Sequence, residues 1–483
     1  MANRKDFHPV LVPALDALIG DPGLITPTKG SKLKADDLYI PAQYIDRICE
    51  FHDEPSSRGE AATTLLGTFP RILGAIHYND GDDAFTCANG MRIHFISDDK
   101  LKLISTNGRS GSTTHALAAA QLAQHNYGKD NVAILTGDNY MTSKAFMSDI
   151  DVAHINPDIY TGRRKLVLPE KYYDEWFRNR HLSNKSFAEA FPDEKPKPLL
   201  VNEFVEFEVD TSLAFTYGYT AGNFTQLIGR FEYDSIRGEA ELRRLHYVED
   251  LPHCIQPRSA GQVMLAEALM APADEIPIVI CPAVFGTGKT YLTTSIGLSM
   301  VADKKPKYDR IFVVPRDAEL GKEIGFLPGD EREKTIAKAM PIIDNVRAYV
   351  RNKGDCKKGN AEMTSDDINK RVELLLQQHF EFTSIINMGG RSLSDCWIIY
   401  DEAQDMERFQ INQLMKRIGD GSKMIITGDP NQVFNKHMNY YSNGLMYAAT
   451  KMAGSRYAAV VSMFEDEITR SEAAREIARL LGH

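Results

Sequence analysis

The sequence offers no cysteine pairs. Its six cysteines (Cys49, Cys87, Cys254, Cys281, Cys356 and Cys396) are scattered through 483 residues without CxxC spacing. That argues against a metal ribbon or a disulfide framework and for a reducing interior. No run of about 18 apolar residues occurs, so no membrane-spanning helix is expected. The amino terminus, MANRKDFHPV, shows no signal-peptide core. Excess positive charge is missing as well: 56 Lys and Arg against 66 Asp and Glu leave a net charge of -10. Such a chain is not a general polyanion binder, and any nucleic-acid contact has to lie in a local basic groove. Internal repeats and low-complexity tracts are absent too. These absences leave a soluble, cytoplasmic, globular protein as the expectation, and the 43% hydrophobic and 25% charged content is ordinary for one.

At roughly 150 residues per domain, this length predicts about three domains. The texture divides the chain into 1–185, 186–250 and 251–483. The first part mixes short β-like runs at 91–96 and 132–135 with an Ala-rich helical run at 115–125. Strands and helices alternating at this spacing predict an α/β sheet with crossover helices. The run at 132–135 ends in Thr136-Gly137-Asp138, at the kind of strand end where functional groups collect. A charged, proline-rich stretch at 191–198 reads as a linker. Residues 199–247 alternate aromatic and polar residues around glycines and predict a small β module. From about Pro257 the α/β texture returns.

Here the sequence becomes informative. An apolar, β-branched run at 276–281 leads into a loop containing Gly286-Thr287-Gly288-Lys289-Thr290, and a helical stretch follows. Strand, glycine loop and helix are the context of a phosphate site: backbone N–H groups wrap the phosphates and the helix N-terminus adds positive partial charge. Lys289 would reach the β- and γ-phosphates, and the Thr290 hydroxyl would bind Mg²⁺. The pattern G-x-x-x-x-G-K-[ST] asks for a further glycine where Ala283 stands, and a methyl there restricts positive φ. A second apolar run, 396–400, ends in Asp401-Glu402. Asp401 suits the Mg²⁺ shell, and Glu402 suits a base that orients and deprotonates water. A third, 423–427, runs into Gly428-Asp429-Pro430-Asn431-Gln432. There Gln432 would sense the γ-phosphate or the lytic water. Single-stranded nucleic acid asks for cations interleaved with aromatics, and Lys304-Lys305-Pro306-Lys307-Tyr308, Arg351-Asn352-Lys353 with Lys357-Lys358, and Arg163-Arg164-Lys165 are the loose candidates.

The phosphate loop, Asp401-Glu402-Ala403-Gln404 and Gly428-Asp429-x-x-Gln432 resemble motifs of superfamily 1 helicases. Gly321-x-x-x-Gly325-Phe326-Leu327-Pro328-Gly329-Asp330, Gly390-Arg391-Ser392-Leu393-x-Asp395 and Arg417-Ile418-Gly419-x-Gly421-Ser422-Lys423 are similar, more narrowly, to the PhoH ATPase family. That resemblance covers roughly 255–450. Pro257-Arg258-Ser259-Ala260-Gly261-Gln262 resembles the family's opening segment, which implies Arg258 and Gln262 near the adenine. The resemblance implies a RecA-like P-loop NTPase with a parallel sheet, ATP and Mg²⁺ as cofactors, and a motor of helicase type acting on single-stranded RNA or DNA. It also implies a homo-oligomer, a hexameric ring, in which a neighbouring copy supplies the arginine that neutralises the transition state. Arg417 and Arg391 are the candidates.

The amino-terminal part is similar, over shorter motifs, to the PIN domain fused to PhoH in two-domain proteins. Ala14-Leu15-Asp16-Ala17-Leu18-Ile19-Gly20-Asp21-Pro22, Ile40-Pro41, Thr136-Gly137-Asp138 with Lys144-Ala145, and Tyr160-Thr161-Gly162 carry that likeness. A PIN nuclease gathers about four carboxylates around Mg²⁺ or Mn²⁺. Here Ala14 stands at the first position with Asp16 two places later. Arg47 stands at the second with Asp46 beside it, Thr113 near the third, and Asp138 at the fourth. An arginine repels a cation. The resemblance therefore implies a three-layer, PIN-like α/β domain that is nuclease-inactive and serves assembly or RNA contact. Two other readings stay open: an ATP-gated RNA-binding scaffold with little turnover, and an active ribonuclease using Asp16, Asp46 and Asp138.

Overall fold

The computed structural model describes residues 8–20, 22–25, 35–52, 54, 57–78, 84–102, 111–153, 159–192, 198–220, 223–234, 238–314, 339–355, 364–383, 392–434, 438, 440, 443–470, 472 and 476. The chain divides into two units, Met1–Asp158 and Ile159–His483.

The first unit is built on a six-stranded sheet of β1 (Val10–Pro13), β2 (Asp37–Pro41), β3 (Phe85–Thr86), β4 (Arg92–Ile96), β5 (Val132–Leu135) and β6 (Asp151–Ala153), in the order β3-β4-β2-β1-β5-β6. All pairings are parallel except β3 with β4. β1 and β5 are buried at every position. Their unbroken apolar runs are what a parallel strand covered on both faces requires. Helix Ser112–Tyr127 lays Ala116, Ala119, Ala120 and Ala123 against this sheet, where small side chains permit close approach. The chain steps from β1 to β2 and β4 on one side and to β5 and β6 on the other. The direction of stepping reverses between β1 and β5, and Asp16 and Asp138 lie just past their carboxyl ends.

The second unit contains two sheets. The smaller has β7 (Arg163–Val167), β8 (His181–Leu182), β9 (Phe204–Glu208), β10 (Ile228–Asp234) and β11 (Glu239–Arg244), ordered β7-β9-β10-β11-β8 and antiparallel apart from β7 with β9. Trp176 packs edge-on to Phe207 at 4.7 Å in its core. The boundary expected at 185 is displaced: the first unit ends at Asp158, and β7 and β8 already belong to this module. The proline-rich stretch falls between β8 and β9 of one sheet, so its turn signals mark a connection inside a module rather than a domain edge. The basic run Arg163-Arg164-Lys165 also changes meaning. It is strand β7, and its charges face carboxylates: Arg163 pairs with Glu206 and Glu467 at 2.8 Å each, Arg164 with Glu203 at 2.6 Å and Lys165 with Glu208 at 2.9 Å. Each of these charges already has a carboxylate partner within the protein.

The larger sheet has β12 (Ile278–Pro282), β13 (Arg310–Val314), β14 (Phe380–Phe382), β15 (Cys396–Tyr400), β16 (Lys423–Gly428) and β17 (Ala458–Val460), all parallel, ordered β14-β13-β15-β16-β12-β17. β16 lies between β12 and β15, with Pro282 opposite Gly428 and Tyr400 opposite Ile426. The three motif-bearing strand ends are therefore neighbours. Helix Lys289–Val301 lies directly on β15: a Cβ at Gly297 would come within 2.3 Å of Trp397 Nε1. Only glycine allows that approach.

At the start of β16, Lys423 is fully buried, its Nζ donating to the Ala271 carbonyl at 2.5 Å. Burial, reinforced by the Arg230 charge, pushes this amine well below the usual lysine value. A lysine whose folded-state pKa is depressed binds fewer protons folded than unfolded. Stability therefore rises with pH from that folded value up to about 10.4, the unfolded value. Lys423→Met is expected to remove most of this slope, as read by thermal melts between pH 7 and 10. An unchanged slope would show that Lys423 stays charged in the fold.

Candidate nucleotide site

The loop after β12 makes its left-handed turns at Gly286 (φ 79°) and Gly288 (φ 86°). Ala283 has no positive φ; its N–H donates to the Gly428 carbonyl at 2.9 Å, and it bridges to Met463 as a continuation of the strand. The glycine that the motif asks for at this position is not needed here, so the alanine imposes no strain. Gly288 caps helix Lys289–Val301. Lys289, the first residue of that helix, is buried, and its ammonium has no hydrogen-bond or ion-pair partner among the described residues. A buried, unpaired cation at a helix N-terminus is arranged for an anion.

Thr290 and Asp401 meet across two elements: the Thr290 hydroxyl donates to Asp401 Oδ2 at 2.9 Å. Asp401 also accepts from the Thr427 hydroxyl at 2.6 Å and from the Glu402 N–H at 3.1 Å. Glu402 itself has φ 62°. A left-handed non-glycine residue costs about 1–3 kcal/mol and persists only where its surroundings hold it. The holder is Gln404, fully buried, whose Nε2 donates to Glu402 Oε2 at 2.7 Å and to the Gln432 carbonyl at 3.2 Å, while its Oε1 accepts from the Asp429 N–H at 3.1 Å. One amide thus locks the ends of β15 and β16 together. In the sequence Gln404 is only the last residue of the Asp401-Glu402-Ala403-Gln404 motif, and nothing local marks this task. Asp429 accepts the Phe285 N–H at 2.7 Å and so fixes the phosphate loop from the β16 side, a role its place in a polar turn does not signal.

Gln262 and Arg258 line the same cavity. The resemblance implies Gln262 beside the adenine. In the structure its amide is occupied by protein: Oε1 accepts the Arg258 N–H at 2.7 Å, and Nε2 donates to the Thr287 carbonyl at 2.7 Å and to the Thr469 hydroxyl at 3.0 Å. Gln262 braces the loop. Thr287 turns inward, its hydroxyl donating to the Val284 carbonyl at 2.7 Å. Gly286, Gly288, Lys289, Thr290, Asp401, Glu402 and Gln432 surround one cavity of about 860 Å³, together with Asn352 from the basic run expected to touch nucleic acid, and with Tyr291 and Arg470, for which the sequence carried no site signal.

Other candidates lie elsewhere. Arg417 precedes the amino-terminal end of β16, its carbonyl accepting from the Leu393 N–H at 3.1 Å, at the end of the strands opposite the cavity. Within one chain it does not reach the site. Lys304, Lys305 and Lys307 are exposed, but Tyr308 turns into the core against Trp397, so that stretch offers no stacking ring. Asp21, Lys357, Lys358, Gly390, Arg391 and the motif at 321–330 lie outside the described residues.

In the first unit the three carboxylates have separate tasks. Asp16 accepts from the Thr136 hydroxyl at 2.9 Å and the Gly137 N–H at 2.8 Å, stitching the ends of β1 and β5. Burial raises its pKa, with the Asp138 charge adding to the shift. Asp138 caps helix Asn139–Met147 by accepting the Met141 N–H at 2.8 Å. Asp46 is exposed on helix Tyr44–Phe51, beside an Arg47 paired with Glu50. Among the described residues these three do not bring ligand atoms within 4.8 Å of one another.

The family described as PhoH-like protein matches residues 254–481. These residues are a PhoH-like domain. Protein PhoH2 of Bacillus subtilis is 31% identical over 326 residues, 68% of this chain and 65% of that protein. Protein PhoH2 of Thermobispora bispora is 30% identical over 227 residues, 47% of each chain. The PhoH-like protein of Synechocystis is 29% identical over 173 residues, 36% of this chain and 47% of the relative. The chain thus spans between about half and two thirds of the relatives' lengths. The PhoH-like domain is of P-loop ATPase type, and its parallel sheet presents the loop, Asp401 and Glu402 at adjacent strand ends. Among the described residues no helix is long and apolar enough to cross a membrane.

Proposed function

We propose that the PhoH-like domain binds and hydrolyses ATP to drive movement on single-stranded RNA, as a motor of helicase type. The observation that carries the nucleotide part is the 2.9 Å bond between Thr290 and Asp401, in one cavity with Lys289 and Glu402. The Lys289 ammonium and the loop N–H groups take the phosphates. Thr290 and Asp401 offer two hard oxygen donors side by side, which fits Mg²⁺, a small ion that takes its other ligands from phosphate and water. Bound there, Mg²⁺ would neutralise charge on the β- and γ-phosphate oxygens. Glu402, aimed by Gln404, holds the attacking water and accepts its proton, and Gln432 at the rim senses the γ-phosphate.

The RNA partner and the ring rest on the family resemblance, and a cytoplasmic site of action rests on the scattered cysteines and the lack of a long apolar run. For Arg417, a position remote from its own cavity suits a residue that serves a neighbouring copy. The first unit joins this reading as a PIN-like, nuclease-inactive element. Support comes from Asp16 and Asp138, whose oxygens already serve a strand junction and a helix cap. The test is steady-state ATP hydrolysis by the whole chain with and without single-stranded RNA, expected to rise severalfold with RNA. Turnover that ignores RNA would point to an ATP-gated scaffold. Mn²⁺-dependent RNA cleavage abolished by Asp138→Asn would restore the nuclease.

A further inference from the structure

After β17 the chain stays at the phosphate loop. The Val461 N–H donates to the Ile280 carbonyl at 2.9 Å, the Met463 N–H to the Pro282 carbonyl at 3.0 Å, and the Val284 N–H returns a bond to the Met463 carbonyl at 3.1 Å. Glu467 Oε1 then accepts the Gly261 N–H at 2.6 Å. The Thr469 N–H donates to the Gly286 carbonyl at 3.1 Å, and the Thr469 hydroxyl accepts from the same Gln262 amide that braces Thr287. Residues 461–469 are thereby clamped along the loop, and the next residue is Arg470.

The stem of Arg470 crosses the loop: a Cβ built on Gly286 would meet Ile468 Cγ2 at 3.1 Å and Arg470 Cδ at 3.5 Å. Arg470 lines the cavity with Lys289, Thr290 and Glu402. It is exposed and has no hydrogen-bond or ion-pair partner among the described residues. Two unpaired cations at one cavity repel each other unless an anion lies between them, and a guanidinium fork matches phosphate oxygens bidentately. We propose that Arg470 binds the phosphate chain of the nucleotide held by its own subunit, so that the C-terminal segment supplies the site's second cation in cis. This rests on the ATP reading above. It assigns to Gln262 and Thr469 the positioning of that arginine.

The test uses the whole chain, a fluorescent ATP analogue with Mg²⁺, and inorganic tripolyphosphate as competitor, which presents phosphates without base or ribose. In Arg470→Ala, affinity for both is expected to fall at least about tenfold, with Arg470→Lys recovering part of the loss because it restores charge but not the fork. Melting without nucleotide should be unchanged, since Arg470 is exposed and unpaired. Unaltered affinity for both compounds would overturn the inference. So would a loss confined to the ATP analogue, which would put Arg470 on base or ribose. A wild-type chain that binds neither compound would instead remove the nucleotide reading on which the inference stands.

Discussion

Glu402→Gln is expected to lower ATP turnover by about 10²–10⁴-fold while nucleotide affinity stays within a few-fold of wild type. The substitution keeps shape and removes only proton acceptance. The Gln404 Nε2 that donates to Glu402 Oε2 at 2.7 Å finds an amide oxygen in the variant, so the left-handed turn at residue 402 is retained. Asp401 keeps its three donors, Thr290, Thr427 and the residue-402 N–H, and the phosphate loop keeps its brace through Asp429. Binding and chemistry should therefore separate cleanly. Phosphate release reports the chemistry, and titration of the fluorescent analogue reports the binding. A variant that hydrolyses ATP within tenfold of wild type would show that Glu402 is not the base. A variant that also loses affinity would show that the turn had collapsed.

How much of this was legible depended on whether the signal was local. β12, β15 and β16 are continuous apolar runs because parallel strands are covered on both faces, and each carries its polar residues just past the strand end. Lys289, Thr290, Asp401 and Glu402 could therefore be named from the sequence. Their convergence needed only the strand order. In sequence β7 looks like a basic patch because its carboxylate partners Glu203, Glu206 and Glu208 come some 40 residues later and Glu467 follows 304 residues on. A sequence shows the charge and hides the partner. Ala283 looked like a flaw because a motif names residue types while the backbone asks only for φ, and the φ > 0 turns fall on Gly286 and Gly288. Asp138 carries a local signal of its cap role: an Asp just before a helix is an N-cap pattern as readily as an eroded metal ligand. Arg470 had none, since only long-range bonds to Gly286 and Gln262 bring its segment to the loop.

Arg230→Met is expected to destabilise the second unit by about 3–5 kcal/mol without changing nucleotide affinity in the folded protein. Arg230 on β10 is fully buried, and its guanidinium reaches Glu275 at 2.6 Å, Glu232 at 3.0 Å and Asn202 Oδ1 at 2.9 Å. Glu275 stands between helix Ala260–Met270 and β12, and the Tyr247 hydroxyl also donates to it, at 2.5 Å. One side chain therefore ties the small sheet to the nucleotide-binding sheet. Methionine fills most of the volume but takes the shared cation from Glu232 and Glu275, and the His246 ring 3.4 Å from Glu232 and the Tyr247 hydroxyl at Glu275 replace only part of it. A melting midpoint lower by on the order of 10 °C is the expected reading. Adding Glu275→Gln should recover part of the loss, because it removes one of the stranded charges, and the partner Tyr247 can still donate to the amide oxygen. Recovery would identify unpaired charge, rather than lost packing, as the cause. The loop, Asp401 and Glu402 make no bond to this network, so the double variant should bind the ATP analogue as wild type does wherever it is folded.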